Sequence, residues 1–162
     1  MGSKPTPATK VMLLSIHATA GALIGQQINN PILAFVLAFI SHFILDVIPH
    51  GDHDWIEDYK GGQKNKAIKI ISIVVIDVLV LLTLLISKFY FKSFTPNLPI
   101  IAGVVGGVLP DFLVGCHELS DKLFKRFYRL HFVVHDLLKF KPSTASGIFM
   151  QVVVLAVLLL NF

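Results

Sequence analysis

Histidine and aspartate recur within apolar runs of this chain, at spacings that suit metal ligation. The densest stretch places His42, Asp46, His50, Asp52, His53 and Asp54 at the end of a hydrophobic segment. His42 and Asp46 are four residues apart, which on a helix sets them on one face about 6 Å apart in rise. Both can then reach a common ion, or the carboxylate can orient the imidazole. His131 and His135 repeat this spacing, the geometry that paired histidines use in helical zinc motifs. Leu109-Pro110-Asp111 sets a carboxylate just after a proline at the end of a further apolar run, and His17 lies about two turns into the first one. Ionisable groups at such depth are costly and need partners. The expected metal ligands are therefore His17, His42, Asp46, His50, Asp111, His131 and His135. Asp77, in the middle of an apolar run, and Asp136, beside His135, are expected as general base or as groups that orient a ligand. Cys116 is the sole cysteine, so multi-cysteine zinc sites and intrachain disulfides are excluded and any metal must rely on imidazole and carboxylate.

Elements that could position these groups follow from the hydropathy. With 54% hydrophobic residues, 15% charged residues and a mean hydropathy of +0.74, the chain lies outside the range of ordinary soluble domains. It reads as an all-α, polytopic membrane protein, one domain over residues 1–162. Spans are expected at about 11–28, 31–48, 69–91, 97–116 and 146–162, since a crossing needs roughly 20 apolar residues. Asn29-Asn30-Pro31 marks a tight turn between the first two, and Pro49 ends the second. Residues 51–66 are polar and read as an aqueous loop. Gly103, Gly106 and Gly107 allow close helix approach in lipid. From 118 to 140, Leu119, Leu123, Phe127, Leu130, Val134 and Leu137 recur at steps of three and four, with Lys122, Lys125, Arg126 and Arg129 on other faces. This pattern predicts an amphipathic helix suited to the headgroup region. Of the 14 Lys and Arg residues, all but Lys88 and Lys92 fall on one side of this topology, which places the N-terminus in the cytoplasm. The expected location is the inner (cell) membrane, with His and Asp gathered at its cytoplasmic face.

His17 with Gly21 and Gly25, the Asn30-Pro31 turn, Ser41-His42 followed at four-residue steps by Asp46 and His50, and Pro110-Asp111 together resemble a family. It is the group of small prokaryotic inner-membrane proteins described as YdjM-like membrane-bound metal-dependent hydrolases. The resemblance covers mainly residues 15–55 and 100–136. It implies a helical membrane protein whose His and Asp ligands hold one or two divalent ions, zinc foremost, with manganese or iron as options. It also implies hydrolysis of a phosphoester, on a lipid among the candidates. The partners expected are the bilayer and anionic lipid headgroups drawn to the basic helix face, with no nucleic acid. The alternative is a metal-ion transporter or a non-catalytic metal-binding membrane protein, which would spread its ligands through the bilayer depth instead of collecting them at one face. A haem bundle is disfavoured by the aspartates beside the histidines. In the blander accounts His42 and Asp46 form a structural hydrogen-bonded pair, Asp52, His53 and Asp54 belong to a solvated loop, and His117-Glu118 starts the amphipathic helix.

Overall fold

A computed structural model describes residues 12–48, 63–92, 97–120, 122–135, 137–138 and 143–161. Among them the protein is all-helical: α1 (Leu14–Gln27), α2 (Pro31–Asp46), α3 (Gln63–Lys92), α4 (Leu98–Leu119), α5 (Lys125–His135) and α6 (Thr144–Asn161). Local sequence explains the two best-defined starts. Asn30 caps α2, its side-chain oxygen accepting from the amides of Ile32 (3.0 Å) and Leu33 (3.1 Å), with Pro31 in the first turn, where a missing N–H costs nothing. Asn97 does the same for α4, accepting from the amide of Ile100 at 3.0 Å.

α1 is the central element, packing against α2, α3, α4 and α6. Its buried residues run from Ser15 to Ala22 without a polar face, as a helix enclosed by others requires. Side-chain-free surfaces let it approach α4: a Cβ on Gly21 would collide with the Gly103 carbonyl, and one on Gly107 with the His17 carbonyl. This contact seats His17 directly against the turn of α4 that precedes Asp111. The N-terminus of α1 has no cap of its own. Its orphan amides are satisfied from distant elements, Leu13 N–H by Gln151 Oε1 of α6 (2.9 Å) and Ser15 N–H by the Asp77 carboxylate of α3 (3.2 and 3.3 Å).

α2 inverts the pattern of a water-soluble helix. Its buried residues are Ala34, Ala38, His42 and Asp46, a single stripe at four-residue steps. Ile32, Leu33, Val36, Ile40 and Ile44 face outward. Small residues make the contact and the ionisable pair sits at its end.

The amphipathic helix differs from the expected 118–140. α4 continues through Leu119, so His117 belongs to its last turn and not to the start of the next helix. His117 Nδ1–H donates to the Leu123 carbonyl at 2.6 Å, and the His117 ring lies against Tyr128. Phe124 takes a positive φ of 51° immediately before α5. The chain thus turns a strained, tied corner, and α5 begins only at Lys125. α1 and α3 also differ at their ends from the expected spans. Of the described helices, α4 is long and apolar enough to cross a bilayer, over Leu98–His117. The apolar stretches Pro31–Asp46, Val74–Leu84 and Ala145–Asn161 are shorter.

Candidate metal centre

Four helices bring their ionisable side chains to one point. His42 and Asp46 come from the last turns of α2, His17 from the first turn of α1, Asp111 from α4 one residue past Pro110, and His131 and His135 from α5. The Asp46 carboxylate is the centre. Its Oδ1 lies 3.2 Å from His17 Nε2. Its Oδ2 lies 3.0 Å from His42 Nε2, 3.1 Å from His135 Nε2 and 3.6 Å from His131 Nε2. Asp111 Oδ1 stands 3.7 Å from His42 Nε2 and 3.8 Å from His131 Nε2. All of these side chains are buried except that of Asp111, which is 22% exposed and forms the open edge.

Proton bookkeeping defines what this arrangement can do. His42 Nδ1 is 2.8 Å from the Gly107 carbonyl, which can only accept, so Nδ1 carries hydrogen and donates. In a neutral His42 the Nε2 lone pair therefore points at Asp46 Oδ2. Two acceptors at 3.0 Å repel unless a proton or a cation lies between them. His131 Nε2 and His135 Nε2, 3.1 Å apart, pose the same demand. Neither ring nitrogen of His17 and neither oxygen of Asp46 has a conventional hydrogen-bond partner, although all are buried. Such groups cost several kcal/mol each when left uncompensated, on the order of the penalty for a buried ion. Burial pushes the His131 imidazole down to about 3, helped by the neighbouring His135, so it is neutral at physiological pH. A neutral imidazole is the form that ligates.

The donor spacing is compatible with ligation of a metal ion. Tetrahedral bonds of about 2.0–2.1 Å to N and O require donor–donor edges of roughly 3.3 Å. The edges among His42 Nε2, His131 Nε2, His135 Nε2 and Asp46 Oδ2 run from 3.0 to 3.6 Å where contacts are made. Two groups of three, His42 with Asp46 and His131, and His17 with His42 and Asp111, could each hold a metal ion. The Gly107 carbonyl behind His42 supplies the partner that holds a ligating imidazole in one tautomer.

Of the residues expected from the sequence, His17, His42, Asp46, Asp111, His131 and His135 converge here. His50 and Asp136 lie outside the described residues, as do Asp52, His53 and Asp54. Asp77 is buried but stands elsewhere, its carboxylate accepting from the Ser15 amide, and no contact with the cluster occurs among the described residues. Sequence reasoning did not single out Gly107 as a ligand-orienting carbonyl or His117 as the tie of the α4–α5 corner. A backbone carbonyl leaves no residue signal. The His117–Leu123 bond, spanning six residues across a helix end, leaves little more. Comparison of the chain with protein-family models, curated proteins and solved structures finds no match.

Proposed function

We propose that this protein is a membrane-embedded, metal-dependent hydrolase acting on a phosphoester, with its site at the cytoplasmic headgroup level. The observation that carries the reading is the convergence of four imidazoles on the buried Asp46 carboxylate, with His42 tautomerically locked by Gly107. The outward faces of α2 and α6, set with Ile32, Ile40, Ile44, Phe149, Val152 and Leu160, support burial in lipid beyond the α4 span alone. The fold is then polytopic, and the resemblance to YdjM-like metal-dependent hydrolases belongs to this proposal.

A divalent ion held by these residues supplies a water of lowered pKa and Lewis-acid polarisation of a phosphoryl oxygen, and zinc suits an imidazole-rich donor set. The chain's own groups supply the rest. Asp46 and the histidines hold charge and position, the packed α1–α4 contact keeps bulk water from the inner side, and Asp111 marks the side from which a substrate can enter. The exposed Lys122, Lys125, Arg126 and Arg129 lie on the α4–α5 corner and on α5, the helix that carries His131 and His135, and suit an anionic lipid headgroup. Asp77, tied to the α1 N-terminus, serves the fold by holding the segment that carries His17, and the base role is not needed from it.

The test is element-resolved metal analysis of detergent-purified protein beside His42→Ala and Asp46→Ala, followed by phosphate release from phosphorylated lipids in mixed micelles. Bound metal lost in both variants, together with metal-dependent phosphate release by the unaltered protein, is the expected result. Full metal retention by both variants removes the proposed centre. Metal binding without hydrolysis of any phosphoester removes the enzymatic half and leaves the transport or storage reading.

A further inference from the structure

Two groups of three donors overlap in the cluster. His42, Asp46 and His131 make one, and His17, His42 and Asp111 make the other; within each group the ligating atoms lie within 4.8 Å of one another. His42 belongs to both and has one nitrogen to give. Its Nδ1 carries the hydrogen donated to the Gly107 carbonyl, so only Nε2 is available, 3.0 Å from Asp46 Oδ2 and 3.7 Å from Asp111 Oδ1. That nitrogen has a single lone pair and binds one ion at a time. An ion held by one group therefore excludes an ion from the other.

Access separates the two groups. Each side chain of the first is 2% exposed or less, whereas the second ends at Asp111, 22% exposed. A divalent ion arrives hydrated, and taking it bare into an enclosed site is costly unless protein donors replace its water in steps. A buried metal site accordingly needs an entry path. The second group has the make-up of one: an accessible carboxylate that attracts the ion, a buried imidazole on His17, and the His42 nitrogen that the first group also uses. Two donors bound at about 2.0–2.1 Å each can stand up to roughly 4 Å apart. Both carboxylates lie within that reach of His42 Nε2, so an ion can change from Asp111 to Asp46 without releasing His42. His17 lines this path, its ring stacked on His42 with centroids 4.0 Å apart and its Nε2 3.2 Å from Asp46 Oδ1.

We propose that the cluster handles a single divalent ion in two successive positions, an entry position held by Asp111, His17 and His42 and a resting position held by Asp46, His131 and His42, with His42 Nε2 bound throughout the transfer. This inference rests on the metal-centre reading above and deepens it, because it assigns Asp111 and His17 to loading and not to the resting ion. The kinetic consequence is specific. Release retraces the route of uptake, so weakening the entry position slows both directions. Weakening the resting position speeds release and leaves uptake as it was, the usual behaviour of a lost binding contact.

The experiment times zinc uptake by the full-length, chelator-stripped protein in detergent, in competition with a fluorescent zinc indicator, and zinc release into excess EDTA. Bound metal is counted by elemental analysis. His17→Gln is the chief variant, because it removes an imidazole and leaves the Asp111 carboxylate that attracts the ion in place; Asp111→Asn and His131→Gln run beside it. The unaltered protein is expected to bind one equivalent. Loss of a supporting group typically costs a metal site 10–100-fold, so His17→Gln is expected to slow uptake and release together by about tenfold or more, with a smaller change in the dissociation constant. Asp111→Asn is expected to slow uptake likewise, and His131→Gln to speed release at an unchanged uptake rate. A variant that elutes as aggregate is set aside, and the other entry variant carries the test. Unchanged rates in His17→Gln and Asp111→Asn remove the entry position. Faster release at unchanged uptake in His17→Gln makes His17 a ligand of the resting ion and overturns the division. Two equivalents in the unaltered protein overturn the exclusion imposed by His42. No zinc on the unaltered protein sinks the metal-centre reading itself.

Discussion

Replacing Asp46 by Asn tests the centre from both sides, because the carboxylate that gathers a cation is a liability without one. Asp46 has 1% side-chain exposure and lies in contact with imidazole nitrogens at 3.0, 3.1 and 3.2 Å. The amide is nearly isosteric and uncharged, so it relieves the desolvation cost, which for a poorly compensated buried ion is several kcal/mol. Metal-free Asp46→Asn is therefore expected to match or exceed the metal-free parent in stability. With metal the order reverses. A ligand present at 100 times its dissociation constant stabilises the folded state by about 2.7 kcal/mol. At roughly 2–4 °C per kcal/mol for a chain of this size, that is a rise of about 5–11 °C in Tm. The variant, missing the one group that every imidazole of the cluster faces, is expected to show none of that rise at the same free metal concentration. The assay is thermal unfolding in detergent, followed by intrinsic fluorescence, across a buffered series of free zinc. An undiminished metal-induced rise in Asp46→Asn, or a metal-free variant several degrees less stable than the metal-free parent, would refute the reasoning.

The remaining expectations concern acid sensitivity, helix packing and capping. The folded-state pKa of His131 lies below its ordinary value of 6.5, so the unfolded chain binds the extra proton across the interval down to about 3. Its contribution to stability is thus present above pH 6.5 and is lost as pH falls below it. Metal-free His131→Gln is expected to lose less Tm than the parent between pH 7.5 and pH 5, and equal losses would count against a buried neutral His131. Gly21→Ala forces a Cβ onto the Gly103 carbonyl and is expected to cost about 1–3 kcal/mol, with loss of metal, as α1 moves off α4. Gly115→Ala meets nothing within 4 Å and is expected to be neutral or stabilising by up to about 1 kcal/mol from helix propensity, so similar chemical-unfolding curves for the two would argue against the close contact. Asp77→Asn keeps an acceptor for the Ser15 amide and is expected to retain metal and hydrolysis, whereas Asp77→Ala is expected to lose about 1 kcal/mol of stability. Abolished hydrolysis in a well-folded, metal-loaded Asp77→Asn would restore that carboxylate to the chemistry.

Several features of this molecule are local enough for the sequence to determine them. Asn30-Pro31 specifies a capped helix start because the capping oxygen and the amides it serves lie within three residues. The four-residue steps His42–Asp46 and His131–His135 fix a shared helical face wherever those helices end up, since the period of the α-helix alone decides it. The outward apolar surface of α2 likewise follows from composition. Element limits were less legible at α5, where the amphipathic pattern ran on from 118 to 140 but the His117–Leu123 bond and the positive φ of Phe124 end one helix and start another. Periodicity does not register a turn whose reason is a single contact.

Only the tertiary structure decided which ligand meets which. His17 and Asp46 are far apart in the chain and 3.2 Å apart in space because α1 and α2 both pack closely on α4, α1 through Gly21, Gly103 and Gly107 and α2, at Phe35, against Gly106. The tautomer of His42 depends on a backbone carbonyl 65 residues away. Asp77, with the same residue type and the same mid-helix isolation as a buried ligand, was drawn instead to the uncapped amides of α1. A carboxylate in an apolar helix must find positive charge or hydrogen-bond donors. The sequence states that need, and the packing of distant helices chooses the partner that meets it.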